Sequence, residues 1–272
     1  MTDPRSPAEF SAYLLDLDGV VYRGDLLLPG ARELVEWIDA TGRKVAFVSN
    51  NSFATVEEVA AKLARLGMPR PEGRVVTAGW ATITAIAHRF PCGRVYPLTG
   101  PSMVTMLREA DLVPVWTKEP DGPTPDAVLI GLDRTLTYER LSRALTAALA
   151  GAALFAVNRD PRLPVEQGFE PGTGAVVAAV EAASGRHAEM IGKPGPGILL
   201  QALQLLDVAP ERALMIGDGL DLDIVAGHAA GVTTALTLCG LTSAEEAARA
   251  TGDRKPEYVF ADLAALLAAA QH

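Results

Sequence analysis

Two aspartates, Asp16 and Asp18, end an apolar run near the start of the chain, in the stretch AYLLDLDGVVYRG. A buried ionised carboxylate is costly unless it is paired or bound to a metal. One carboxylate can attack phosphorus to form an aspartyl-phosphate, and another can donate and accept the protons of that reaction. Side chains two residues apart in an extended chain point to the same side. The spacing therefore predicts a nucleophile at Asp16 and a general acid and base at Asp18.

Polar residues also follow three later apolar runs of the chain. In chain order they are Ser49, Asn50, Asn51, Lys193, Asp218 and Asp223. In an open parallel sheet, ligands bind beyond the carboxyl ends of the strands. We therefore expect these side chains to meet Asp16 and Asp18 at one edge of a sheet.

The types of these residues suit a phosphate monoester. Ser49 and Lys193 can hold the phosphoryl oxygens and offset the charge that develops in the transition state. Asp16 and Asp218 can share a hard divalent cation, and a set of oxygen ligands favours Mg²⁺. Gly19 allows the backbone to approach the phosphate closely. The pattern predicts a Mg²⁺-dependent phosphatase that acts on a small phosphorylated metabolite.

The elements that must position these residues alternate along the chain. Short apolar runs at Tyr13–Leu17, KVAFVSNN and VVTAG are predicted strands, and PGARELVEWIDATG and TVEEVAAKLARLG are predicted helices between them. This βαβαβ order predicts a parallel sheet. The pattern returns in EMIGKPGP, ALMIGDG, VTTALTL and EYVFADL, which are predicted strands separated by helices.

The middle of the chain has strands and helices of its own, which predicts a second α/β domain inserted into the first. Its predicted strands lie in RVYPLTG, LVPVW, DAVLIGLD and ALFAVNRD. We predict a core domain in two parts, residues 1–80 and 187–272, with an inserted cap domain at 81–186.

Composition excludes several classes of protein. The chain has 272 residues, is 49% hydrophobic and carries a net charge of -9. A nucleic-acid surface would need a basic patch, so no nucleic-acid partner is expected. No run of about 18 apolar residues predicts a membrane span, and no signal-peptide pattern begins the chain. The two cysteines are expected to be buried thiols, and a cytoplasmic location is predicted.

The set DLDGVVYRG, SNN, GKP and GDGLDLDI resembles the four motifs of the haloacid dehalogenase-like (HAD) phosphatases. It is most similar to their NagD-like branch, subfamily IIA, which includes 4-nitrophenyl, phosphoglycolate or glycerol-phosphate, and pyridoxal phosphate phosphatases. The segments VNRDPRLPV, PGTGAVVAAVEAASGR and IGKPGP extend the resemblance over most of the chain.

The resemblance implies a Rossmann-like core with a large inserted α/β cap of the C2 type. It implies that Asp16, the main-chain carbonyl of Asp18 and Asp218 bind Mg²⁺, with Asp223 beside these ligands. It also implies that a further set of residues contacts the phosphate or substrate, namely Ser49, Asn50, Asn51 and Lys193. Related proteins often pair through their caps, so a homodimer is expected.

Two positions depart from the branch. Leu222 stands where a threonine is common, and Leu163 stands where pyridoxal phosphatases carry a substrate-contacting histidine. The second departure argues against pyridoxal phosphate as the substrate. Three alternatives to a phosphatase stay open from the residues: a non-enzymatic aspartate-phosphorylation switch, a phosphotransferase or mutase on the same core, and a dehalogenase.

Overall fold

The computed structural model describes residues 5–52, 54–116, 124–165 and 168–271. In chain order its strands are β1 (Ala12–Asp16), β2 (Tyr22–Arg23), β3 (Leu26–Leu27), β4 (Lys44–Ser49), β5 (Val75–Thr77), β6 (Arg94–Leu98), β7 (Val113–Pro114), β8 (Ala127–Ile130), β9 (Ala153–Ala156), β10 (Arg162–Val165), β11 (Gly168–Pro171), β12 (Glu189–Met190), β13 (Ala213–Gly217), β14 (Thr233–Thr237) and β15 (Tyr258–Phe260). Its α-helices are α1 (Ala31–Ala40), α2 (Val56–Arg65), α3 (Ala78–Arg89), α4 (Pro101–Glu109), α5 (Tyr138–Leu149), α6 (Thr173–Ser184), α7 (Gly197–Leu206), α8 (Val225–Ala229), α9 (Ala244–Arg249) and α10 (Leu263–Ala270).

The chain divides into two units. The first contains the described residues within Met1–Ser49, Val56–Val76 and Lys193–His272, and the second contains those within Asn50–Thr55 and Thr77–Gly192. These boundaries lie a few residues from the predicted ones. The short segment 50–55 falls in the second unit, although the prediction placed it in the core domain.

The first unit is built on a six-stranded sheet with the order β15-β14-β13-β1-β4-β5. Strand β1 pairs in parallel with β13 and β4, and β14 pairs in parallel with β13 and β15. All five residues of β1 are buried, because β1 lies inside the sheet. Helices α1 and α2 match the predicted helical stretches, and α1 buries Leu34, Val35 and Ile38 on one face. The predicted parallel α/β fold is confirmed.

The second unit has its own five-stranded sheet, with the order β12-β9-β8-β6-β7 and parallel pairing throughout. The buried faces of α5 and α6 pack in one apolar cluster with side chains of β6, β8 and β9. A separate antiparallel hairpin joins β10 to β11. Each of the four strands predicted in the middle of the chain therefore has a counterpart, although β7 is only two residues long.

Two features of the first unit differ from the prediction. EMIGKPGP was expected to be a strand of the core sheet, but only Glu189–Met190 is extended, and it pairs with β9 of the second sheet. Lys193 therefore does not end a strand of the first sheet; it precedes α7 in the first unit. The antiparallel hairpin of β2 and β3, directly after Asp18, was not predicted. Within the described ranges, no helix combines the length and the apolar character that crossing a membrane would require.

Candidate active site

Strand β1 delivers Asp16 to the carboxyl edge of the first sheet. Asp16 is the last residue of β1 and is opposite Val48, the residue before Ser49 in β4. On the other side, Leu15 is opposite Ile216 in β13, two residues before Asp218. Because the three strands run in parallel, their carboxyl ends lie at one edge. Ser49 is buried there as the last residue of β4.

Lys193 lies between two of the carboxylates. Its ammonium donates to Asp16 Oδ1 and, at 2.6 Å, to Asp223 Oδ1. The exposed fractions of Asp16, Lys193 and Asp223 are 8%, 2% and 2%, so the three charges are withdrawn from water together. The second oxygen of Asp223 accepts from the amide of Gly219 at 3.0 Å. Asp223 was predicted to lie beside the metal ligands, and the structure shows it as a partner of Lys193.

Burial controls the protonation of this cluster. It raises the pKa of Asp16 to about 8, against the opposing effect of Lys193 and with a further increase from Asp223 and Asp218. Burial likewise raises the pKa of Asp218 to about 6, and the charge of Asp223 adds to that increase. For Lys193, burial alone would lower the pKa, but the Asp16 and Asp223 carboxylates outweigh it and raise the pKa above its ordinary value. The cluster holds more carboxylates than one ammonium can neutralise.

The loop after β14 holds Asp218, and this role of the loop was not predicted. The amide of Leu241 donates to Asp218 Oδ2 at 2.8 Å, and the hydroxyl of Thr242 donates to the main-chain oxygen of Asp218 at 2.6 Å. A Cβ on Gly240 would lie 1.6 Å from Asp218 Oδ2, and one on Gly19 would lie 2.3 Å from the same atom. Glycine is therefore needed on both sides of this carboxylate. The glycine in LCGLT, directly after a predicted strand, was the available signal.

The donor set fits a divalent cation. Asp16, Asp218 and Asp223 are all buried, and each offers a carboxylate oxygen within 4.8 Å of the others. Hard oxygen ligands of this kind suit Mg²⁺. A divalent cation would also compensate the excess negative charge that raises the carboxyl pKa values. Asp16 and Asp218 were both in the predicted ligand set. The third predicted ligand, the main-chain carbonyl of Asp18, stays a prediction.

The remaining predicted site residues lie in two different places. The side chain of Asp18 is exposed at the start of the turn that follows β1. Asn50 and Asn51 belong to the second unit. There, the side-chain amide of Asn158 donates to the main-chain oxygen of Asn50 at 3.1 Å, and Asn51 Oδ1 accepts from the amide of Ala54 at 2.8 Å. The contact of Asn50 and Asn51 with a substrate stays a prediction.

Comparison with known proteins agrees with this geometry. Residues 13–113 match the model of the haloacid dehalogenase-like hydrolases, and residues 190–266 match a second model described as HAD-hydrolase-like. An acid sugar phosphatase of Staphylococcus saprophyticus is 35% identical over 254 residues, which cover 93% of this chain and 95% of that protein.

Solved structures are similar over nearly the whole chain. The glycerol phosphate phosphatase of Mycobacterium tuberculosis, in complex with magnesium, superposes with a TM-score of 0.86 at 35% identity, covering 96% of this chain and 78% of that one. NagD of Escherichia coli K-12 superposes with a TM-score of 0.84 at 27% identity, covering 94% and 97%. The chain therefore belongs to the haloacid dehalogenase-like hydrolases. Within that family it is a NagD-like phosphatase, a phosphoric monoester hydrolase.

Proposed function

We propose that this phosphatase hydrolyses small phosphate monoesters with Mg²⁺ through an aspartyl-phosphate on Asp16. The observation that carries the proposal is the buried cluster in which Asp16, Asp218 and Asp223 lie together and Lys193 binds two of them. A buried nucleophile with an ammonium against one oxygen is held in a fixed direction, which favours attack on a phosphorus at the sheet edge.

The chain's own residues supply the steps of the reaction. A carboxylate oxygen of Asp16 forms a bond to phosphorus while the ester bond to the leaving oxygen breaks. Asp18 gives its proton to that leaving oxygen and then takes one from the water that hydrolyses the intermediate. Lys193 and Ser49 hold the phosphoryl oxygens. Asp16 and Asp218 would hold Mg²⁺, which supplies charge stabilisation at the phosphoryl group when bound.

A small phosphorylated metabolite is the proposed substrate. The support lies in the relatives, one of which is named an acid sugar phosphatase and another a glycerol phosphate phosphatase. Leu163 takes the position where the resemblance places a histidine in pyridoxal phosphatases, so pyridoxal phosphate is disfavoured. A panel of metabolite phosphates with Mg²⁺, ranked by kcat/KM, identifies the leaving group. Cytoplasmic location and pairing through the second unit stay predictions; cell fractionation and light scattering of the purified protein test them.

The decisive experiment traps the intermediate. We expect 4-nitrophenyl phosphate to be hydrolysed with Mg²⁺ and not with EDTA, and borohydride quenching to convert Asp16 to homoserine, detected by peptide mass. Asp16→Asn should lose at least about 10³-fold in kcat because the nucleophile is gone. Asp221→Asn is the matched control, since that carboxylate lies in the Leu220–Ile224 segment after β13, is 75% exposed and pairs with Arg254.

The aspartate-phosphorylation switch and the phosphotransferase or mutase each predict a different result, and phosphate release that depends on Mg²⁺ already excludes the dehalogenase. A phosphoprotein that stays modified for hours would indicate the aspartate-phosphorylation switch. Transfer of the phosphoryl group to an added alcohol or sugar with no release of inorganic phosphate would indicate a phosphotransferase or mutase. Full activity of Asp16→Asn would contradict the proposed nucleophile.

A further inference from the structure

The turn that follows β1 closes tightly on itself and brings Tyr22 back beside Asp18. The main-chain oxygen of Leu17 accepts from the amides of Val21 at 2.9 Å and Tyr22 at 3.1 Å. The amide of Gly19, whose φ of +84° favours glycine, donates to the oxygen of Tyr22 at 2.9 Å. Asp18 and Tyr22 also form an isolated β-bridge. The backbone thus fixes the separation of the two residues.

The Tyr22 side chain is fixed as well. It is 4% exposed, and the ammonium of Lys62 on α2 lies 3.8 Å from the centre of its ring, which is a cation–π contact. Its hydroxyl donates to Asp18 Oδ2 at 3.4 Å. A phenol hydroxyl is protonated at neutral pH and can therefore act as the donor in this contact. An exposed carboxylate is therefore tethered by a buried phenol.

We propose that Tyr22 is a positioning residue that aims the carboxyl group of Asp18 at the leaving oxygen. The inference rests on the proposed function, in which Asp18 is the general acid. An exposed aspartate samples several rotamers, and proton transfer requires hydrogen-bond reach to the leaving oxygen. A separation of 3.4 Å is long for a hydroxyl donor, and such contacts in a ligand-free site often shorten when the substrate is bound.

The basicity of the leaving group provides a test of this positioning role. As the bond from Asp16 to phosphorus forms, the ester bond breaks and the leaving oxygen takes the proton of Asp18. Phenol has a pKa near that of tyrosine, about 10, so phenolate needs that proton. The 4-nitrophenolate anion is a much weaker base and leaves readily without one. Misaiming Asp18 should therefore slow phenyl phosphate more than 4-nitrophenyl phosphate, although the two esters have nearly the same shape.

The test compares Tyr22→Phe with the wild type on these two esters by kcat/KM, which reports the steps up to departure of the leaving group. We expect about a fivefold loss on phenyl phosphate, equivalent to about 1 kcal/mol, and less than about a twofold loss on 4-nitrophenyl phosphate. Tyr13→Phe is the matched control. Tyr13 lies three residues before Asp16, and the substitution removes a buried hydroxyl that donates to the main-chain oxygen of Pro7 at 2.7 Å. Its ratio between the two esters should stay at the wild-type value.

A second pair of variants separates folding from positioning. Lys62→Met leaves the hydroxyl but removes the cation over the ring, and we expect it to shift the same ratio by about twofold; Lys62→Arg should restore the ratio. The proposal is overturned if Tyr22→Phe loses kcat/KM equally on both esters, or loses none. If Tyr22→Phe fails to fold, an unchanged ratio of the two kcat/KM values in Lys62→Met overturns it instead. Failure of the proposed function is distinct: the wild type itself would then form no aspartyl-phosphate.

Discussion

Removing the Lys193 ammonium should destabilise the first unit strongly. Lys193→Met keeps most of the side-chain volume but leaves Asp16 and Asp223 buried without their common partner. Breaking a buried ion pair from one side costs about 3–5 kcal/mol. For a domain of 150–250 residues each kcal/mol lowers Tm by about 2–4 °C, so a decrease of roughly 6–20 °C is expected.

The assay is thermal unfolding in EDTA, run at pH 8 and pH 5. Burial already raises the pKa of Asp16 to about 8, and loss of Lys193 raises it further. A carboxyl group with a raised pKa in the folded state destabilises the fold above that pKa, and protonation relieves the cost as the pH falls. The difference between the variant and the wild type should therefore be smaller at pH 5.

A double-mutant cycle isolates the interaction. Adding Asp223→Asn to Lys193→Met should restore part of the lost stability, with a coupling energy of about 1–3 kcal/mol, because it removes an unpaired buried charge. Arg32→Met is the surface control: its partner Glu36 is half exposed, and a far smaller change in Tm is expected. Additive effects in the cycle, or a Lys193→Met change no larger than that of Arg32→Met, would refute the reasoning.

Three further predictions concern the metal site. The apparent affinity for Mg²⁺, measured by calorimetry, should fall by up to about tenfold per pH unit below about pH 8, where protons begin to compete for Asp16, whose pKa is raised to about 8. The fall should steepen below about pH 6, where protons also compete for Asp218, whose pKa is raised to about 6, and a flat profile from pH 7 to 5 would contradict this. Gly240→Ala should weaken Mg²⁺ binding at least about tenfold and lower the free energy of unfolding by about 1–3 kcal/mol, because its methyl group would lie 1.6 Å from Asp218 Oδ2. Gly100→Ala is the control, since its methyl group would lie 3.4 Å from the nearest atom, the main-chain oxygen of Leu132. Addition of Mg²⁺ at pH 8 should raise the Tm of the wild type and have little effect on Asp218→Asn, and equal shifts in both proteins would place the ion elsewhere.

The sequence predicted the fold well where local signals agreed. Strand β1, helix α1 between Pro29 and Gly42, and helix α2 before Gly67 each have an apolar pattern with a clear start or end. Polar residues after apolar runs also indicated which end of the sheet carries Asp16 and Asp218. These features depend on neighbours in the chain, and a single sequence contains that information.

The errors arose where partners are distant in the chain. The apolar run before Lys193 looked like a core strand, but hydrophobicity does not tell which of two sheets Glu189–Met190 joins. The place of Asp223 beside the metal ligands stays a prediction, and its contact with Lys193, 30 residues away in sequence, was not predicted. Gly240 carries no functional group, so its role in shaping the site is visible only from the approach of Asp218.

The central place of β1 between β4 and β13 also bears on how the protein is made. Asp16 and Lys193 are 177 residues apart in sequence, and β13 follows the whole second unit. A nascent chain emerges from the ribosome with its N-terminus first. Strand β1 therefore cannot pair with β13 until residues 77–192 have been synthesised, and those residues can fold in the meantime. Strand β1 is then paired on one side only, and apolar side chains that the complete sheet would bury remain exposed. We expect folding of the first unit to be slow, post-translational and dependent on contacts of high sequence separation, whereas the second unit folds during synthesis.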